Sequence, residues 1–188
     1  MAERVERGPD QLAAGLASLA GGSLEAARLE TSAQVAVRLF AGQRLDLSEL
    51  GLGELPPPGR AHGDGLEALG LAPGEWLLVA RSGSAGSLRS ILERAVGGEG
   101  TVTSLGDARV LLELRNDDVV PVLARGCALD LHPTAFEPGA CAQTLIAQVP
   151  VILWRPVAEA DLFRFAVARS FAVHLTGWLT ETASRLNR

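Results

Sequence analysis

The chain has no tyrosine, one methionine, two cysteines and three histidines in 188 residues. So few soft ligands exclude a Cys- or His-rich metal cluster, which takes four ligands at short paired spacings. Basic charge is also scarce: 17 Lys and Arg stand against 22 Asp and Glu, for a net charge of −5. A general nucleic-acid binder displaces counterions from phosphates with a basic face, and this balance does not supply one. No apolar run approaches the roughly 20 residues of a membrane span. The first ten residues, Met1 to Asp10, are charged and hold no signal-peptide core, and two lone cysteines fit a reducing cytosol, so a cytoplasmic protein is expected.

What is present is apolar and globular. Hydrophobic residues make up 47% of the chain, mostly Ala and Leu, a usage common in high-GC bacteria. A chain of this length buries about 70% of its unfolded surface and needs no disulfide or metal staple.

Residues 1–22 read as a mobile tail holding at most a short helix, with Leu12, Leu16 and Leu19 at helical spacing and Gly15 weakening it. Residues 23–65 read as a variable region. Val35, Val37 and Leu39 alternate as a strand, and Pro56-Pro57-Pro58-Gly59 forms a stiff linker. From 66 to 188 the pattern predicts an α+β domain. Trp76–Ala80 is a strand, and Leu88, Ile91, Leu92 and Ala95 mark a helix closed by Gly97-Gly98. Thr101–Ser104 and Val110–Leu114 are strands, with a turn at Leu105-Gly106-Asp107, and Asn116-Asp117-Asp118 is expected to cap a helix. That β-α-β-β-α order predicts a ferredoxin-like split β-α-β layer with two helices on one face. Antiparallel strands over Ala140–Ala147, Val149–Trp154 and Leu162–Arg169 extend it, with a turn at Gln148 and Pro150 at a strand start or sheet edge. A C-terminal helix follows, its stripe read as Phe171, Leu175, Trp178, Thr182 and Leu186.

Each candidate for chemistry has a structural competitor. Cys127 and Cys141 lie fourteen residues apart without a C-x-x-C, and His132 is the nearest imidazole; His174 falls on the last helix. Two buried thiols explain the cysteines better than a Cys–His nucleophile pair. Asp117 and Asp118 are sequence neighbours whose side chains diverge. Glycines at 83, 86, 97, 98 and 100 never form a phosphate-cradling motif. Trp76, Trp154 and Trp178 could stack a ring ligand, but Trp154 and Trp178 are expected to pack the sheet on the last helix.

W-L-L-V-A at 76–80, G-C-A-L-D-L-H-P-T-A-F-E-P-G-A-C-A-Q-T-L-I-A-Q-V-P-V-I-L-W-R at 126–155 and F-R-F-A-V-A-R-S-F-A at 163–172 resemble the gamma subunit of bacterial heterotetrameric sarcosine oxidase. The resemblance is good from Leu71 to Leu179 and weak over the first seventy residues. It extends distantly to part of the folate-binding aminomethyltransferase fold. Those enzymes carry a Gly-Glu-x-Gly turn where this chain reads R-P-V-A-E-A-D-L-F, leaving Glu159 or Asp161 as a displaced acid. The resemblance implies a non-catalytic partner of alpha, beta and delta subunits. Their complex demethylates sarcosine to glycine, yielding hydrogen peroxide and 5,10-methylenetetrahydrofolate or formaldehyde. FAD, FMN, NAD, zinc and tetrahydrofolate are then expected on the other subunits. No catalytic, cofactor-binding or metal residue is assigned to this chain. The alternative is an independent folate-binding, aminomethyltransferase-like protein.

Overall fold

Strand β7 (Glu75–Ala80), helix α2 (Ala85–Val96) and strand β8 (Gly100–Ser104) form a split β-α-β unit, because β2 (Ala33–Leu39) lies between the two strands and antiparallel to both. The structure is a computed structural model that describes residues 8–31, 33–40, 45–106, 108–157, 159 and 161–186. The first seven residues of the expected tail, Gly42 and Asp107 of the expected turn lie outside them.

Strands β5 (Ala61–His62) and β6 (Leu66–Ala72) complete this sheet in the order β5-β6-β7-β2-β8. A second five-stranded sheet has the order β1-β9-β12-β11-β10. Its strands are β1 (Glu25–Arg28), β9 (Arg109–Arg115), β10 (Cys141–Ile146), β11 (Val149–Trp154) and β12 (Phe163–Ala168). All pairings in both are antiparallel. A small ribbon, β3 (Asp46–Leu47) with β4 (Gly53–Glu54), flanks them. The remaining helices are α1 (Gly8–Ala17), α3 (Val119–Leu123) and α4 (Arg169–Leu186).

The α+β class and the split unit stand, but the expected single layer is divided. β8 and β9 belong to different sheets, so α2 covers one sheet while α3 and α4 cover the other. Strand alternation explains why. On β9, Val110, Leu112 and Leu114 face the helices, and Leu111 faces the opposite sheet. On β7, Leu77 and Val79 face the seam between sheets while Leu78 and Ala80 face α2. A strand buried on both faces shows no polar side, and so both sheets have apolar residues at nearly every central position.

The boundary expected at residue 65 is crossed by the sheets. β1 is an edge of one sheet, and β2 is interior to the other. Helix α1 is docked rather than free: Leu12 and Leu19 are buried with the α4 residues. Gly15 permits this approach, since a Cβ there would stand 2.8 Å from Thr176 Cγ2.

Three local expectations change. The buried face of α4 is Ala172, Leu175, Thr176, Leu179, Thr182 and Ala183, while Phe171 is 46% exposed. β12 runs straight into α4, which sets the helix phase, and the small residues admit α1. Trp178 does pack on the helical layer. Trp154 does not; β11 turns it into the inter-sheet seam, where it is fully buried. Asp118 does not cap α3; its carboxylate accepts from Ser23 Oγ, and Ser23 O accepts from its N–H. Pro150 starts β11, an interior strand. Its pairing with β12 begins only at Val151, so no ladder donor is lost. The turn at Ala147 and Gln148 holds, both with positive φ, as a tight hairpin requires.

The seam is not purely apolar. Arg164 on β12 sits opposite Glu113 on β9 and Trp154 on β11. Its Nε donates to Glu113 Oε2 at 2.7 Å, and its Nη1 crosses the seam to Glu67 Oε2 on β6 at 2.9 Å. Trp154 Nε1 donates to Glu67 Oε1 at 3.2 Å. The Arg164 and Glu67 side chains are 2% and 3% exposed. Burial pushes the Glu67 carboxyl above the usual glutamate range, against the pull of Arg164, Trp154 and Arg81.

Replacing Arg164 by Met strands two carboxylates and is expected to cost about 3–5 kcal/mol in denaturant unfolding; a cost under about 1 kcal/mol would contradict the role assigned to it. For Glu67 the sign follows from its raised position. The folded chain holds this proton more tightly than the unfolded chain, so its contribution falls as pH rises through the ordinary glutamate range. Glu67→Gln should therefore match the wild type at low pH and gain on it as pH rises. Unfolding curves that diverge in the opposite sense would refute this.

Candidate functional site

The end of β9, the start of α3, the 131–133 loop and the segment after β11 enclose a cleft of about 530 Å³. Its volume lies in the range of small-molecule sites. Val119, Val120, Leu131, Pro133, Leu162 and Phe163 supply an apolar lining. Phe163 stacks on Phe136 with centroids 6.3 Å apart and planes 8° from parallel. The Arg155 guanidinium lies 5.0 Å from the Phe163 centroid and donates through Nη1 to Phe136 O at 2.6 Å. Arg155 is thereby locked as part of the wall.

At the rim, Arg115 Nη1 pairs with Glu159 Oε2 at 2.8 Å. Glu159 Oε1 also lies 3.5 Å from Arg164 Nη2, joining the cleft to the seam network. Of the two displaced acids of the sequence, Glu159 is held by two guanidinium groups, while Asp161 is not among those pairs. Asp161 and Asp117 stand exposed at the cleft, while Asp118 turns to Ser23, so the aspartate neighbours diverge as expected.

The other candidates lie apart. Cys127 belongs to the helical side of the second sheet, its Sγ 3.9 Å from Thr144 Oγ1. Cys141 belongs to the seam on the opposite face, and burial pushes its thiol up to about 12. Both thiols are free. His132 is exposed, its Nδ1 2.8 Å from Thr134 Oγ1 within its own loop, and His174 is exposed on α4. His62, the third imidazole, has Nε2 3.0 Å from Leu52 O. Trp76 is half-buried and donates to Pro56 O at 2.7 Å, which anchors the proline run.

Among the described residues, no group of three or more His, Cys, Asp or Glu side chains could hold a metal. Glu159 is paired with two guanidinium groups and the thiols lie on opposite faces of a sheet, so these groups do not converge on a zinc site. What the sequence reading missed is the network of Glu67, Glu113, Trp154 and Arg164, together with the Arg155–Phe163–Phe136 stack. Its signal was a charge at an inward position of an apolar strand, as in F-R-F and L-L-E-L. The thiol assignment has a direct readout. Cys141 should stay unmodified by an alkylating reagent at mildly alkaline pH in the folded chain and react fully on unfolding, by mass spectrometry. Fast labelling of the native chain would contradict it.

Comparison with known proteins places these features in a family. The gamma subunit of sarcosine oxidase from Corynebacterium sp. (strain U-96) is 34% identical over 140 residues, which covers 73% of this chain and 66% of that relative. The corresponding subunit from Arthrobacter sp. is 35% identical over 155 residues, covering 79% and 74%. A chain of the heterotetrameric sarcosine oxidase from Corynebacterium sp. U-96, solved in complex with pyrrole 2-carboxylate, superposes with a TM-score of 0.82 at 30% identity, over 98% of both chains. The aminomethyltransferase T of the glycine cleavage system from Bartonella henselae gives a TM-score of 0.56 at 21% identity. It covers 89% of this chain but 48% of that one, a likeness of fold alone. The profile of the "Sarcosine oxidase, gamma subunit family" matches residues 54–185, and the chain belongs to that family.

Proposed function

We propose that the chain is the non-catalytic gamma subunit of a heterotetrameric sarcosine oxidase, assembling in the cytoplasm with alpha, beta and delta subunits. The reaction of that complex is the oxidative demethylation of sarcosine to glycine. Hydrogen peroxide and either 5,10-methylenetetrahydrofolate or formaldehyde are the other products. Flavin, NAD, zinc and folate are assigned to the other subunits.

The observation that carries this reading is the match over 98% of both chains to a chain of a heterotetrameric sarcosine oxidase. The paired state of the site supports it. The cleft beside α3 has its Arg115 and Glu159 bound to each other and its Arg155 stacked on Phe163. The thiols are buried. Such a chain contributes shape and surface, not a reacting group. An independent aminomethyltransferase-like enzyme is favoured less, because the fold spans only 48% of the aminomethyltransferase it resembles.

Co-expression with the genes that flank it tests the proposal. The chain should co-elute with large flavoprotein subunits in a particle that releases peroxide from sarcosine, and should do neither alone. Elution as a separate monomer in the presence of those subunits would contradict it, as would micromolar tetrahydrofolate binding by the isolated chain.

A further inference from the structure

Four strands form the edges of the two large sheets, and three of them are closed. β5 is two residues long. β1 is four residues long with a charge at each end, Glu25 and Arg28. On β10, the Cys141 N–H donates to Gly59 O at 2.8 Å, Ile146 bridges to Cys127, and Gln143 Nε2 reaches Leu71 O at 3.3 Å. Shortness, charge and covering contacts are the usual means by which edges avoid pairing with other chains.

Among the described residues, β8 has none of them. It reads G-T-V-T-S, with no charge, no proline and no break in its register with β2. Threonine and valine are strong strand formers. Leu105 N donates to Gln34 O, and Phe40 N donates to Glu99 O, which fixes the alternation along the pair. Residues 99, 101, 103 and 105 turn their backbone groups toward β2. Gly100, Val102 and Ser104 therefore turn theirs outward, away from the sheet. Thr101, Thr103 and Ser104 are exposed, and Val102 is half-buried against the core under α2.

Three outward N–H groups alternating with three outward C=O groups are complementary to one thing, another extended backbone. We infer that β8 is a docking edge on which a strand from another subunit of the complex adds to the sheet, extending it to six strands. This rests on the gamma-subunit reading, which supplies the partner. It goes further by naming the surface and the mode of pairing. The alternating donors supply the affinity, and the threonine face offers side-chain contacts on the incoming strand's flank.

Hydrogen exchange resolved at single amides, on the isolated chain and on the assembled complex, tests this. In the isolated chain the amides of Thr101 and Thr103 should be protected by β2, while those of Gly100, Val102 and Ser104 exchange fast. Assembly should slow the outward three by at least tenfold. Ser104→Pro removes one outward donor and leaves the β2 side intact, and should weaken assembly about tenfold. A complex that forms with the outward amides still fast would overturn the docking edge and leave the gamma-subunit reading standing. Failure of the chain to assemble at all would overturn both. Protection of the outward amides in a dimer of the isolated chain would assign the edge to a second copy and refute the inference.

Discussion

A deeply buried guanidinium sits at the junction of the two sheets. Arg164 takes Glu113 from its own sheet and Glu67 from the other, while Trp154 holds the second oxygen of Glu67. Desolvating an arginine and a glutamate this deeply is unfavourable unless each polar atom finds a partner. The geometry of the seam is the set of positions at which they do. Apolar seam residues such as Leu69, Leu77, Leu111 and Ile152 could tolerate small slides of one sheet over the other. A charge network with fixed donors and acceptors could not. The network therefore selects one register of the sheets, a role for which buried polar groups are suited.

The same guanidinium reaches outward to Glu159, which closes the rim of the cleft with Arg115. Seam and cleft are thus one electrostatic unit. Glu159 is used to hold the structure together. Glu159 and the two buried thiols are engaged in packing and pairing. This fits a subunit whose contribution is surface.

The sequence made parts of this fold legible and hid others for identifiable reasons. β2, β7, α2, β8, β9 and the 147–148 hairpin follow alternation and turn chemistry that local residues dictate. The existence of two sheets was not legible, because β8 and β9 are adjacent in the chain and only long-range pairing separates them. β6 was hidden by its composition, L-E-A-L-G-L-A, which carries no β-branched residue. With β6 unseen, Glu67 could not be placed on an inward face, and the partner of Arg164 could not be found. The stripe on α4 was misphased because the packing of α1 rewards the small residues Ala172, Thr176 and Ala183 over Phe171. The cysteines were legible: their spacing lacked a motif, and they lie in the cores of opposite faces.

The central claim is that this chain lends structure, and no reacting group, to its complex. Its most exposed candidates for chemistry are Asp117, His132 and Asp161. The direct measurement is steady-state sarcosine turnover by the assembled complex carrying Asp117→Asn, His132→Ala and Asp161→Asn together. The account predicts unchanged kcat and KM. A fall of tenfold or more in kcat, in a complex that assembles normally, would contradict it.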